Sequence, residues 1–195
     1  MLLLTRPDAQ TLRRFIAAQA GRPFSYREVG TIAAGAPPGY VLDHNRVHLG
    51  RGEETFARAC AAVRRWAMFE LGWVRLCPPD APLEPGATVA VLARYLGLYA
   101  LNACRVIAVF DGPDEALPLR RFGLSYGTLD AHMEQGEERF SVELHADGEV
   151  FYDLRAFSRP RVWYGPAIYP LLRRAQRRFA RDSLQAMRAA VAAAP

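Results

Sequence analysis

Lysine is missing from this chain. All 25 basic side chains are arginine, set against 20 acids. That absence removes Schiff-base chemistry, a lysine-bound pyridoxal phosphate and the lysine of a Walker-type phosphate loop. A GC-rich genome produces the same bias without any functional cause. Cysteine is scarce as well. Cys60, Cys77 and Cys104 are far apart and odd in number, so they form no metal or redox spacing and should be buried free thiols. No run reaches the roughly 18 apolar residues of a membrane span. Met1-Leu2-Leu3-Leu4 is too short for a signal-peptide core, and Pro7-Asp8 interrupts it, so a cytoplasmic location is the expectation. No GxSxG context surrounds Ser125, Ser141 or Ser158, which argues against a hydrolase elbow.

What remains is an ordinary globular composition, 51% apolar over 195 residues. It fits one domain spanning 1–195 with chain enough to bury a substantial core. The clearest order lies between Arg120 and Pro160, which reads as three consecutive strands. From Glu137 to His145 the chain alternates. Glu137, Arg139, Ser141, Glu143 and His145 share one face, and Glu138, Phe140, Val142 and Leu144 the other. This is the pattern of a half-buried antiparallel strand. Asp147-Gly148 then supplies a tight hairpin turn, and Glu149 to Ser158 returns as the partner strand. The strand before them, Arg121 to Leu129, places Gly123, Ser125 and Gly127 on one face and Phe122, Leu124, Tyr126 and Thr128 on the other. Its nearly bare face leaves room for a helix or a bound molecule, or lets the sheet bend.

The run Phe122-Gly123, Tyr126-Gly127-Thr128-Leu129, His132, Gly136-Glu137-Glu138 and Phe140, closed by Phe157-Ser158-Arg159-Pro160, resembles a bacterial and plant family. That family is the domain-of-unknown-function family numbered nineteen-ninety. Tyr26 to Gly30, Leu49 to Glu53, Phe56, Trp66 and Gly72-Trp73 carry the resemblance upstream, so it covers nearly the whole chain. The family is similar to the START-like, birch-pollen-allergen-like helix-grip superfamily. The resemblance therefore implies an α+β fold, a curved antiparallel β-sheet wrapped around a long C-terminal helix, often with an apolar ligand between them. It brings no activity and no catalytic residue.

Elsewhere the expectations are local. Thr5 to Asp8 opens a helix by a capping box, and Gly21 ends it. Tyr40 to Leu49 reads as a strand holding His44 and His48. Four residues along a strand is about 13 Å, too far for one metal ion. Glu53 to Leu71 reads as one helix. The glycines before it do not make a phosphate cradle, because Glu53 and Glu54 fill its first turn. Cys77 to Gly86, with its four prolines, is a connector; Thr88 to Tyr95 and Ala100 to Phe110 are apolar strands, interrupted by Arg94 and Arg105 on their solvent face. Asp111 to Pro118 is a turn or loop.

Pro160 to Pro170 leads into an amphipathic helix with Ile168, Leu172, Ala175, Phe179, Ser183, Ala186 and Ala190 on one side. Its small apolar side suits close packing over the Gly-Ser-Gly face, and its tail from Ala189 should fray. Seven arginines and one acid lie between Arg161 and Arg188, and Arg173, Arg174, Arg177, Arg178 and Arg181 form a candidate anion-binding stripe. No DNA- or RNA-binding motif and no interleaved aromatics accompany it, which argues against nucleic acid. The expected ligand is a small apolar or amphipathic molecule, oriented by Tyr126, Thr128, His132, Arg155 and Ser158, with no cofactor and no metal. If Gly123-Ser125-Gly127 faces the helix, Tyr126 lies outside and this set is wrong. Two alternatives stand: a cavity enzyme using His132 with one of Glu134, Glu137 or Glu138, or an interaction protein using the arginine stripe. Oligomeric state is not legible.

Overall fold

A computed structural model describes residues 1–114, 119–161 and 165–193. The elements in order are β1 (Leu2–Leu3), α1 (Ala9–Gln19), β2 (Val41–Arg51), α2 (Gly52–Arg64), a 3-10 turn (Ala67–Phe69), β3 (Val74–Cys77), β4 (Thr88–Tyr95), β5 (Leu98–Asp114), β6 (Leu119–Thr128), β7 (Glu134–His145), β8 (Glu149–Pro160) and α3 (Gly165–Ala192). The strands form one antiparallel sheet in the order β2-β8-β7-β6-β5-β4-β3, with β1 paired to β5. The α+β architecture expected from the sequence is therefore present, and α3 lies against β2, β8, α2 and the 3-10 turn.

The alternation read along β6, β7 and β8 decides which residues meet α3. Phe122, Leu124, Tyr126, Phe140, Val142, Tyr152 and Leu154 join one buried cluster with Ala180, Met187 and Val191 of α3. The concave face is thus the Phe122-Leu124-Tyr126 face. The expectation that α3 packs over Gly123, Ser125 and Gly127 is overturned. That bare face is convex, and the segment before β2 covers part of it. A Cβ on Gly127 would overlap the Tyr26 hydroxyl, so glycine there makes room for Tyr26, which is 6% exposed.

Several boundaries differ from the expected ones. α1 is capped by Asp8, whose carboxylate accepts from Thr11 N at 2.7 Å, rather than by Thr5. α2 stops at Arg64 because Trp66 turns left-handed (φ 59°). That turn buries the indole and lets its Nε1 donate to Ala81 O at 2.9 Å. The 3-10 turn that follows carries Phe69 into the core. β3 occupies Val74–Cys77, before the proline connector. β5 continues through Asp111 to Asp114, where a loop was expected; 115–118 lie outside the described residues. Arg94 is exposed, but Arg105 is half-buried and donates to the carbonyls of Gln19, Ala20 and Arg22, satisfying the end of α1. α3 begins at Gly165 and carries Pro170 inside it. The Ile168 side chain lies outside the described residues. At its far end α3 runs to Ala192 with Val191 buried. The three cysteines are free; Cys77 and Cys104 are buried and Cys60 is half-buried. No helix among the described residues is long and apolar enough to cross a membrane.

Candidate functional site

α3 does not fill the trough of the sheet. Between them lies a cavity of about 370 Å³. One part is apolar. Phe69 stands in it with its ring 5.3 Å from Phe179, 5.4 Å from Phe140 and 6.2 Å from Tyr126, and Val74, Val91 and Leu154 complete the wall. The polar part follows from strand register. Tyr126 of β6 pairs with Glu138 of β7, which pairs with Ala156 of β8, which pairs with Asp43 of β2. Even positions of β6, β7 and β8 and odd positions of β2 thus face α3 along one row, whose polar members are Tyr126, Glu138 and Asp43.

Two carboxyl groups define this end. Glu138 accepts from the Tyr126 hydroxyl at 2.7 Å. Burial pushes its carboxyl up to about 8; the charges of Glu134 and Asp43 add to this, and the Tyr126 hydrogen bond opposes it. Glu134 accepts from Gln176 Nε2 at 2.7 Å. Burial pushes it up to about 7, against that hydrogen bond and the Arg173 charge. Both line the cavity, and neither has an ion-pair partner among the described residues. Burial also raises Tyr126 well above its ordinary value.

A polar clasp ties α3 to the sheet beside these acids. Arg173 holds Asp43 through two bonds, Nη1 to Oδ2 at 2.5 Å and Nη2 to Oδ1 at 2.7 Å. It also donates to Gln176 Oε1 at 2.5 Å. Gln176 Nε2 in turn donates to Ser158 Oγ at 2.9 Å as well as to Glu134.

The expected ligand-orienting residues divide. Tyr126, Thr128, His132 and Ser158 line the cavity. The Thr128 hydroxyl is occupied, since it lies 2.6 Å from Ser25 Oγ and accepts from Gly136 N at 3.0 Å. Arg155 is not in the cavity. It sits on the opposite face of β8, with Nε 3.3 Å from Asp153 Oδ1, because strand alternation sends positions 155 and 158 to different sides. Among the described residues His132 meets no carboxylate. Its Nδ1 lies 3.0 Å from Glu134 N and 3.1 Å from Glu134 O, both backbone atoms, and burial pushes it down to about 4. Glu137 points to the convex side, where it accepts from Tyr26, Gly30 N and Ile32 N. The functional side chains missed from the sequence are Asp43 and Gln176, which act through partners far away in the chain.

The arginine stripe also divides. Arg173 is engaged with Asp43 and only 14% exposed, so it is not a free anion-binding group. Arg178 stacks on Trp73 at 4.4 Å and, with Arg181, pairs with Asp182. Arg174 and Arg177 are exposed. No group of His, Cys, Asp and Glu among the described residues could hold a metal ion.

The convex face handles charge differently. Asp153 is 1% exposed and accepts from Arg139 at 3.0 Å and His44 at 2.5 Å. Glu143 meets Arg46 at 2.9 Å and Arg121 at 3.2 Å.

Comparison with known proteins agrees with this geometry. Among solved structures, the Zhui aromatase/cyclase from Streptomyces sp. R1128 is 12% identical and superposes with a TM-score of 0.53, covering 78% of this chain and 93% of that one. The di-domain aromatase/cyclase BexL is 14% identical with a TM-score of 0.52, covering 82% of this chain and 52% of that one. At such identity the likeness shows the fold alone, the helix-grip arrangement. Closer likeness is found among proteins called UPF0548. One from Deinococcus radiodurans is 38% identical, covering 93% of this chain and 94% of its own. One from Dictyostelium discoideum is 32% identical, covering 98% and 96%. Relatives therefore occur outside bacteria and plants. Residues 25–186 match the family described as "Domain of unknown function (DUF1990)", and with relatives this similar along almost its whole length the chain belongs to that family.

Proposed function

We propose that the protein binds a small apolar or amphipathic molecule between α3 and the concave face of the sheet, without transforming it. The observation that carries this reading is the 370 Å³ cavity with its mostly apolar wall and few convergent polar groups. Its volume falls at the lower end of the range of about 300–1,000 Å³ for small-molecule sites. A trough left unfilled costs dispersion contacts along its whole wall, and a bound apolar body restores them. Acid–base catalysis by His132 and a glutamate has less support, since among the described residues no carboxylate reaches the imidazole. The alternative of an anionic partner keeps only the exposed end of its stripe, chiefly Arg174 and Arg177.

Native mass spectrometry of the full chain, followed by denaturing extraction and titration with an apolar ligand panel, tests the reading. A stoichiometric retained molecule, or uptake of a panel member, supports it. A bare protein that takes up nothing from the panel overturns it.

A further inference from the structure

The sheet partners its shielded acids unequally, some buried outright and some half-buried. On the convex face, buried Asp153 and Glu143 each meet arginine within ion-pair distance, and buried Glu137 is met by three hydrogen-bond donors instead. On the concave face, Asp43 is neutralised by Arg173, whereas Glu134 and Glu138 face the cavity with no cation in ion-pair contact among the described residues. This is not for want of cations in a chain with 25 arginines. Each of the two carboxyls is given one donor, Gln176 Nε2 or the Tyr126 hydroxyl. A carboxylate has two oxygens and accepts several hydrogen bonds, so both keep capacity directed at the cavity.

Resting on the ligand-binding reading, we propose that the cavity takes an amine: a molecule with an apolar body seated against Phe69 and a protonated nitrogen received by Glu138 and Glu134. A buried carboxylate is stabilised by an opposite charge at contact distance, and an ammonium supplies that charge together with hydrogen-bond donors. On binding, Glu138 ionises, its proton leaves to solvent, and the ammonium–carboxylate pair takes the place of the neutral carboxyl. The groups around Glu138 permit this. Tyr126 of β6 donates to it. Glu134 of β7 and Asp43 of β2 add negative charge. Cys104 of β5 and Tyr152 of β8 are held neutral by burial. From α3, Arg173 is spent on Asp43, and Arg177 and Arg181 reach the cavity from exposed positions, where solvent ions screen their charge over about 8 Å.

The test is calorimetric titration of the full chain with decylamine, decanol and decanoate, which share one apolar body, from about pH 6 to pH 9. Decylamine should bind about tenfold or more tightly than decanol near pH 8, the advantage of a formed ion pair. That advantage should shrink toward pH 6, where both carboxyls hold their protons. Amine binding near pH 7 should release close to one proton, read from the dependence of the heat on buffer. Glu138→Gln should remove most of the advantage while leaving decanol binding in place. Glu134→Gln should remove part of it, and thermal unfolding checks that both variants fold. Decanol or decanoate binding as tightly as the amine, or an amine preference unmoved by pH and by both substitutions, overturns the amine while leaving an apolar-ligand cavity standing. Failure of all the probes to bind overturns both.

Discussion

Replacing Glu138 with Gln should make the protein more stable at alkaline pH and change little near pH 4.5. In the unfolded chain Glu138 titrates near 4.5; in the folded one burial carries it to about 8. Between those values the unfolded state has lost the proton that the folded state keeps. Stability therefore falls as pH rises through this window. The gap between about 4.5 and about 8, at about 1.4 kcal/mol for each factor of ten in proton affinity, sets a ceiling of roughly 5 kcal/mol. Water entering the cavity relaxes the carboxylate, so an effect of about 2–4 kcal/mol is expected. Gln keeps the shape and the acceptor oxygen for Tyr126 but cannot ionise. Urea unfolding at a series of pH values from about 4.5 to 9 measures the difference. The wild-type and variant curves should diverge steadily above pH 5, with the variant the more stable. Parallel curves would refute the burial of this carboxyl, and with it the picture of a cavity wall shielded from bulk water.

Two further substitutions probe the convex side. Gly127→Ala should displace Tyr26 from the bare face of β6 and lower stability by about 1–3 kcal/mol, seen as a drop in melting temperature, whereas the same change at Gly72, beside which nothing lies within 4 Å and whose backbone is not left-handed, should create no such clash. Asp153→Asn should cost about 3 kcal/mol by leaving the Arg139 charge unneutralised and one of the two donors, Arg139 or His44, without an acceptor. Burial raises the Asp153 carboxyl, but the hydrogen bonds from His44 and Arg139 outweigh it and hold the group below its ordinary value. Its contribution is therefore present above the ordinary carboxylate range and lost as pH falls beneath it, and acid unfolding of the variant should lack that component.

The sequence revealed much of the sheet because period-two patterning is local. Along β7, Phe140, Val142 and Leu144 state the inward face outright, and Asp147-Gly148 states the turn. The end of α2 was not legible: Val63 and Ala67 continue the helical apolar spacing through Arg65, and only the left-handed backbone of Trp66 breaks it. β3 was missed because four residues between a glycine and a proline run show too little alternation. Arg155 is different, since a signal was present. It stands three positions from Ser158, and on one strand an odd separation means opposite faces. Arg173 had no such signal. On a helical wheel it belongs to the arginine face, and its partner Asp43 lies 130 residues away.

Glu137 and Glu138 show why residue type alone could not settle the site. They are neighbours, both are glutamate, and burial raises both. Outward-facing Glu137 receives the Tyr26 hydroxyl and the backbone N–H groups of Gly30 and Ile32. Those donors tie the segment before β2 onto the sheet and take most of the carboxylate's acceptor capacity. Inward-facing Glu138 receives one donor, and the space beside it is cavity rather than backbone. The supply of donors from the surrounding chain, not the chemistry of the side chain, makes the first glutamate a structural tether and leaves the second with acceptor capacity toward the cavity.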